Sequence, residues 1–240
     1  MSAVKARTSN PVAPSPLVVG TIHSLGALQC ALQLVPGDVD LLELRVDAFA
    51  GSPALLNSLS AAVPALRAPL LLTVRHPEEG GAAALTAGRR KALFRQFLPL
   101  VQWADFEVRS LKSLQAEIAE AKALGVQVVV SDHHFKGTPS LVTLKRRLAL
   151  ARSLAPAVVK VATTVRSPVD LERLLTFLNE SEMHRPGQLS VMGMGAYGQV
   201  SRLLLGRCGS ALNYGYLVQP QVPGQWQAVV LKQRLLELMG

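Results

Sequence analysis

A single lysine interrupts an apolar stretch in the second half of the chain, and it is the residue most suited to covalent chemistry. Residues 157–163 are A-V-V-K-V-A-T, bounded by Pro156 and a polar run, which predicts a buried strand that carries Lys160. A lysine held away from water can be neutral and attack a carbonyl carbon. The alternative is a lysine at a strand end whose ammonium reaches solvent.

Other groups capable of acid–base or binding chemistry stand where predicted strands end. The polar segments are E-L-R-V-D at 43–47, R-H-P-E-E-G-G at 75–81, S-D-H-H-F at 131–135, Ser201-Arg202 after a glycine-rich turn, and Q-P-Q-V-P-G-Q at 219–225. Histidine carries protons near neutral pH, and arginine binds carboxylates with two hydrogen bonds. The carboxyl ends of parallel strands meet on one side of a barrel, so these segments form the candidate site.

The second predicted strand carries an unusual row of charges. Glu43, Arg45 and Asp47 alternate with apolar residues and therefore share one face. A charged row facing the surrounding helices would be unpaired in an apolar layer, so we expect it to point into a barrel. Two interpretations stay open: a structural ion pair between Glu43 and Arg45, or a set of groups that binds a polar ligand.

Eight apolar runs alternate with longer amphipathic runs along the chain. The predicted strands cover residues 17–22, 39–46, 70–74, 103–108, 126–131, 157–163, 189–194 and 210–216, each followed by a predicted helix. This alternation predicts an α/β fold of the (β/α)8 TIM barrel type. An open doubly wound sheet would require a glycine-rich nucleotide turn after an early strand. The G-x-G-x-x-G match at 193–198 follows the seventh strand, where it indicates a small-residue turn near a ligand.

Composition limits the class of protein. The chain has 240 residues and a net charge of +9, from 25 Lys and Arg against 16 Asp and Glu. We predict a flexible arm over residues 1–15 and a single catalytic domain over residues 16–240. The arginines are scattered and no nucleic-acid-binding signature is present, which predicts no nucleic-acid partner.

Cysteine usage and hydropathy indicate the compartment. Cys30 and Cys208 form no C-x-x-C pair, which argues against a zinc site or a disulfide framework and favours a reducing environment. No apolar run reaches transmembrane length, and residues 1–15 lack the apolar core of a secretory signal. We therefore predict a cytoplasmic protein without a membrane partner.

Taken together, the polar segments resemble the type I 3-dehydroquinate dehydratases of the shikimate pathway. The resemblance covers the chain from Leu17 onward and is carried by seven motifs. Three are E-L-R-V-D, R-H-P-E-E-G-G and S-D-H-H-F, and the others are V-K-V-A at 159–162, M-G-M-G-A-Y-G-Q-V-S-R-L at 192–203, G-S-A-L-N-Y-G at 209–215 and P-G-Q at 223–225. It implies a (β/α)8 barrel, a homodimer, and no metal or cofactor. It also implies a lyase of aromatic amino-acid biosynthesis that dehydrates 3-dehydroquinate to 3-dehydroshikimate through a lysine Schiff base.

The resemblance assigns a role to each matching residue. Lys160 matches the Schiff-base lysine, His133 the general acid and base, and Glu79 the carboxylate that orients the histidine. Arg202 matches the arginine that grips the substrate carboxylate. The other matches are substrate contacts: Glu43, Arg45 and Arg75 at the ring hydroxyls, and Gln225 from a mobile last loop.

The sequence also departs from the family pattern. Gly20 and Gln221 stand where a serine is common, M-G-M-G-A-Y replaces M-S-M-x-K, and His134 stands where H-D-F has an aspartate. These differences concern lid contacts and substrate affinity. His134 is a candidate second base, but we expect its side chain to point away from the ligand.

Two other functions fit some of the same residues. An aldolase of phosphorylated sugars would also use an imine, with Gly193, Gly195 and Gly198 as a phosphate loop. A non-catalytic binding protein on the same scaffold, using the basic charge for nucleic acid, is the third reading. A binding protein has no need of Lys160, His133 and Glu79 together, which argues against it.

Overall fold

The computed structural model describes residues 15–182 and 188–240, and its strands form one parallel sheet in the order β7-β6-β5-β4-β3-β2-β1-β8. The strands are β1 (Leu17–Ile22), β2 (Leu41–Arg45), β3 (Leu70–Thr73), β4 (Trp103–Glu107), β5 (Gln127–His134), β6 (Val158–Thr164), β7 (Leu189–Met194) and β8 (Leu212–Tyr216).

Helices connect the strands, and side chains cap the first turns of several of them. The helices are α1 (Leu25–Gln33), α2 (Val46–Phe49), α3 (Pro53–Ala62), α4 (Ala87–Phe97), α5 (Gln115–Ala123), α6 (Leu141–Arg152), α7 (Pro168–Glu182), α8 (Gly198–Arg207) and α9 (Ala228–Met239). The hydroxyl oxygens of Ser24, Thr86 and Ser140 accept backbone N–H groups at the starts of α1, α4 and α6. After α5, Gly125 has a φ of 73°, a left-handed conformation that favours glycine and ends the helix.

The barrel closes between β7 and β8, where side chains add to the backbone contact. The Ala211 amide donates to Leu189 O at 2.9 Å. The Ser190 hydroxyl donates to Leu212 O at 2.6 Å. The Ser210 hydroxyl accepts from Val191 N at 2.8 Å and donates to Val191 O at 3.1 Å. Buried hydroxyls thus satisfy backbone groups at this junction.

Strand alternation separates two apolar regions. The larger one lies between the strands and the helices, and it contains Phe94, Phe97 and Phe177. The smaller one fills the inside of the barrel and includes Val19, Leu41, Leu71, Val129, Val158 and Leu212. The apolar layer inside the barrel stands below the charged residues, which come later along the same strands.

The predicted (β/α)8 barrel is confirmed, with differences at the ends of elements. The fifth strand continues to His134 rather than ending at residue 131, because it stays paired with β6 through His134 and Thr163. The following helix, α6, begins only at Leu141, and before it the Thr138 hydroxyl bonds to Thr163 and Thr164 of β6.

Two further predictions concern residues 1–15 and membrane-spanning segments. Apart from Ser15, the predicted arm over residues 1–15 lies outside the described residues. Within the described residues, none of the helices has the length and apolar character needed to span a membrane.

Candidate active site

A cavity of about 440 Å³ opens at the carboxyl ends of the strands. Every site residue predicted from the sequence lines it: Glu43, Arg45, Arg75, Glu79, His133, Lys160, Arg202 and Gln225. These residues come from β2, β3, β5 and β6 or the loops that follow them, from α8 and from the loop after β8. Cavities of this size hold small organic molecules.

Lys160 is buried in the barrel, which excludes the solvent-reaching alternative. Its exposed fraction is 5%, and its Nζ lies 3.6 Å from Asp105 Oδ2. Burial lowers the pKa of the Lys160 ammonium below its ordinary value, while the charge of Asp105 opposes that change. A lysine with a lowered pKa is more often neutral and therefore nucleophilic.

His133 and Glu79 form a hydrogen-bonded pair beside the lysine. Nδ1 of His133 lies 2.9 Å from Glu79 Oε2. Burial, followed by the positive charges of Arg75 and Lys160, holds the pKa of His133 well below its ordinary value. Burial also raises the pKa of Glu79 to about 8, although the charge of Arg75 opposes it. A neutral imidazole at the cavity wall is a suitable general base.

His134 points to the opposite side of β5, as predicted. Its Nε2 lies 2.8 Å from Asp132 Oδ2, and Arg147 on α6 binds the same carboxylate with two nitrogens. The Arg147 and His134 hydrogen bonds outweigh burial and lower the pKa of Asp132 to about 2. Strand alternation therefore gives the cavity His133 alone, although His134 is its neighbour in sequence.

Strand β2 shows no ion pair between Glu43 and Arg45, which was one of the two interpretations left open by the sequence. Arg45 donates to both carboxylate oxygens of Asp47, at 2.9 and 2.8 Å, and to Gly80 O at 3.0 Å. Glu43 accepts the hydroxyls of Thr21 and Thr73 at 3.0 and 2.8 Å. The predicted shared face of three charges is wrong for Asp47, because the strand ends at Arg45 and Asp47 belongs to α2.

Arg75 is held by carboxylates on β4. Its Nη1 and Nη2 donate to Asp105 at 3.2 and 2.8 Å, and Nη1 donates to the Ser131 hydroxyl at 2.7 Å. Glu107 lies 3.5 Å from Nη1. These carboxylates raise the pKa of Arg75 above its ordinary value although burial opposes them. Arg75 lines the cavity with both terminal nitrogens already bonded, so its hydroxyl-binding role stays a prediction.

Arg202 is a buried cation surrounded by carbonyl oxygens. Its exposed fraction is 2%. Nε donates to Tyr214 O at 3.0 Å, and Nη1 donates to Gly193 O, Gly198 O and Gly224 O at 2.6, 3.0 and 2.8 Å. Burial lowers the pKa of Arg202 to about 10. Within residues 15–182 and 188–240 no carboxylate pairs with Arg202, so an anionic ligand would supply the missing charge.

The last loop packs directly on the glycine-rich turn. The Gly195 amide donates to Pro223 O at 2.9 Å, and a Cβ placed on Gly198 would lie 2.6 Å from Gly224 O. The glycines at 195 and 198 therefore allow a close approach of two backbones. Met194 within the G-x-G-x-x-G match lines the cavity, and the position of this turn near a ligand stays a prediction.

Gln225 stabilises the loop from which it was expected to reach the ligand. Its side-chain oxygen accepts the amides of Gln221 and Val222, at 2.7 and 3.4 Å. Gln225 and Gln221 both line the cavity. The side chain of Gln225 thus stabilises the loop by contacts within it, and the loop forms part of the cavity wall.

Sequence reasoning missed several residues of the cavity wall and misplaced one. Gly20 does not line the cavity; a Cβ there would lie 2.9 Å from the Leu217 side chain, outside the barrel. Thr21, one residue later, lines the cavity instead, and its hydroxyl donates to Glu43 at 3.0 Å. The other overlooked wall residues are His23, Met192, Met194 and Tyr214. Alternation along β1, β7 and β8 was the available signal for these residues.

No group of three or more His, Cys, Asp or Glu side chains in the described part of the chain is arranged to hold a metal ion. The predicted independence from metals and cofactors stays a prediction.

Comparison with known proteins gives consistent similarities. A family model described as type I 3-dehydroquinase matches residues 17–240. The 3-dehydroquinate dehydratase of Thermococcus gammatolerans is 30% identical over 226 residues, covering 93% of this chain and all of that protein. The 3-dehydroquinate dehydratase of Klebsiella pneumoniae is 33% identical over 226 residues, covering 91% of this chain and 89% of that protein. Among solved structures, type I 3-dehydroquinate dehydratase from Clostridium difficile with covalent modified comenic acid aligns with a TM-score of 0.82 and 26% identity, over 95% of this chain and 94% of that chain.

Proposed function

The chain belongs to the type I 3-dehydroquinase family, and on that premise we propose that it dehydrates 3-dehydroquinate through an imine on Lys160, with His133 as general acid and base. The enzyme class, a 3-dehydroquinate dehydratase, follows from the family. The proposal adds the residues and their roles. The observation that carries it is the buried Lys160 beside the His133–Glu79 pair in one cavity.

The first step is attack of the Lys160 amine on the C3 ketone. An ordinary lysine, with a pKa near 10.4, is only about 0.04% neutral at pH 7. Burial of Lys160 lowers its pKa and so increases that fraction. The amine adds to the carbonyl carbon and water is lost, which leaves a protonated imine. This cation withdraws electrons from C2 and makes its proton easier to remove.

Proton transfer is assigned to His133. When Glu79 accepts Nδ1–H, the Nε2 lone pair is free to take the C2 proton and then return it to the departing C1 hydroxyl as water. Hydrolysis of the imine releases 3-dehydroshikimate and regenerates the amine. Glu79 must be a carboxylate for this arrangement, so its raised pKa implies that turnover increases with pH up to about 8.

Substrate orientation is assigned to the charged cavity wall. Arg202, buried without a carboxylate partner among the described residues, would bind the substrate carboxylate. Glu43 and Arg45 lie on β2 and would bind ring hydroxyls, with Arg75 next to them. Gln225 would contribute from the last loop.

The aldolase alternative finds less support. It required the glycines at 193–198 as a phosphate loop, but those at 195 and 198 approach the backbone of the last loop. The solved relative from Clostridium difficile contains covalent modified comenic acid, which supports covalent chemistry in this family.

Borohydride trapping tests the proposal. Borohydride added during turnover of 3-dehydroquinate should reduce the imine, and mass spectrometry should place the added mass on the peptide with Val159-Lys160-Val161. Lys160→Ala should lose both the adduct and formation of the conjugated enone product. The matched controls are the chain's other lysines, which should stay unmodified: Lys5, Lys91, Lys112, Lys122, Lys136, Lys145 and Lys232.

The possible outcomes separate the candidate functions. Labelling spread over several lysines, or full dehydratase activity with no adduct, would disprove the Schiff base. An adduct at Lys160 without dehydratase activity would favour an aldolase, and neither adduct nor activity would favour a binding protein. The homodimer implied by the resemblance and the cytoplasmic location expected from cysteine usage and hydropathy stay predictions.

A further inference from the structure

Tyr214 lies on β8 with its aromatic ring against the amine of Lys160. Nζ is 3.8 Å from the ring centroid, and the exposed fraction of Tyr214 is 3%. The Tyr214 hydroxyl is buried and has no hydrogen-bond partner among the described residues. The ring, and not the hydroxyl, is therefore the part of this side chain that contacts the nucleophile.

The Lys160 amine has few other contacts to hold it. Among the described residues it makes no hydrogen bond, and Asp105 Oδ2 lies 3.6 Å away. That oxygen already accepts a hydrogen bond from Arg75 at 2.8 Å. The charged or titratable groups that act on Lys160 from the surrounding strands are Asp105, Glu43, Arg75, Arg45 and His133.

We propose that the face of the Tyr214 ring positions the Lys160 nitrogen and stabilises the positive charge of the imine formed there. This inference rests on the proposed function. An aromatic face attracts a cation through the ring quadrupole, and the attraction is stronger where water is excluded. The ring lies close enough to act on both the ammonium of the resting enzyme and the protonated imine.

A ring face suits this task better than a carboxylate in direct contact. A carboxylate in direct contact would stabilise the ammonium strongly and keep the nitrogen lone pair protonated, whereas the weaker attraction of a ring face leaves the neutral amine more accessible. Asp105 accepts hydrogen bonds from Arg75 and Ser131, and its Oδ2 lies 3.6 Å from Nζ, which is too far for a hydrogen bond to the amine. Tyr214 is thus a positioning residue for the nucleophile.

Substitutions that keep or remove the ring test the inference. Tyr214→Phe keeps the ring and removes only the unpartnered hydroxyl, so its kcat should stay within about twofold of the wild-type value. Tyr214→Leu should lower kcat roughly tenfold with little change in KM, because the contact acts on the charged imine rather than on substrate binding. Tyr214→Met, which also lacks a ring but fills more of the space, should behave like Tyr214→Leu.

The pH dependence of borohydride trapping separates this role from a structural one. The yield of trapped adduct falls at low pH, where the Lys160 amine is protonated, and this part of the pH profile is its acid limb. Removal of the ring destabilises the Lys160 ammonium, so the acid limb should move to lower pH in Tyr214→Leu and Tyr214→Met but not in Tyr214→Phe. Phe94→Leu is the matched control, because it removes a buried aromatic ring outside the barrel and should leave the acid limb unmoved.

Two results would overturn the inference. One is an acid limb and a kcat in both ringless variants that equal those of the wild type. The other is a loss in Tyr214→Phe as large as in Tyr214→Leu, which would assign the effect to the hydroxyl. Failure of the proposed function looks different, since the wild-type protein itself would then give no adduct on Lys160.

Discussion

Burial removes water from Lys160, Glu79 and Arg202, and each side chain responds to its own neighbours. Nζ of Lys160 lies 3.6 Å from Asp105 and against the ring of Tyr214, and burial lowers the pKa of the amine. Arg202 stays among carbonyl oxygens, with a pKa lowered to about 10 by burial. Loss of solvent thus favours the neutral amine of Lys160 and the protonated carboxyl group of Glu79. It also leaves Arg202 as a buried cation that has no carboxylate partner among the described residues.

Glu79→Gln tests how burial of the Glu79 carboxyl group changes the free energy of unfolding with pH. The pKa of Glu79 rises from 4.5 to about 8 on folding, so the native state binds a proton that the unfolded chain has released. The stability that Glu79 contributes is full below pH 4.5 and is lost as the pH rises to about 8. Urea unfolding should therefore show the free energy of unfolding of Glu79→Gln increasing relative to wild type across that interval. A difference that stays flat would contradict the raised pKa.

At the scale of elements, each strand decides which of its residues reach the cavity. Along β5, Ser131 and His133 point inward, whereas Asp132 points outward and bonds to both His134 and Arg147 of α6. Loops then complete the wall, with the last loop packed on the turn after β7. A shift of one residue in any strand would exchange its functional and structural side chains.

The register of β5 predicts opposite effects for two adjacent histidines. His133→Ala should reduce kcat by ~10²–10⁴-fold, the size typical of losing a general acid or base. His134→Ala is its matched control and should stay within a small factor of wild type, since its ring bonds to Asp132 outside the cavity. Steady-state assays with 3-dehydroquinate measure both, and a reversed pair of effects would refute the register.

At the scale of the whole molecule, the charged site depends on a closed barrel. The apolar layer inside the barrel supports the charged layer, and the order of the sheet leaves β7 and β8 as the two strands that must meet. Serine hydroxyls bridge these strands. Lys160 on β6 and Tyr214 on β8 stand on either side of that junction, so closure brings them into contact.

Ser210→Ala should weaken this junction. The substitution leaves the buried amide and carbonyl of Val191 without the serine contacts, which should lower the free energy of unfolding by about 1–3 kcal/mol. Ser58→Ala is the control, because its hydroxyl bonds to a helix carbonyl at an exposed position and its loss should change stability by less than about 0.5 kcal/mol. Equal effects in urea unfolding would show that the hydroxyl bridge contributes little.

The sequence by itself determined the fold class and the membership of the site. Eight strand–helix units predict the barrel, and polar residues after apolar runs lie at strand ends, because both signals are local and follow the two-residue period of a strand. The resemblance to the family then selected eight residues from these polar segments, Lys160 and His133 among them, and all eight line the cavity.

Only the tertiary structure decided which groups meet. The pairing of Arg75 with Asp105, the carbonyl oxygens around Arg202 and the ring of Tyr214 beside Lys160 join residues from different strands and loops. The inward position of Thr21 rather than Gly20 depends on how β1 is seated between β2 and β8. Such contacts are set by strand register and barrel closure, which bring together segments that no local pattern connects.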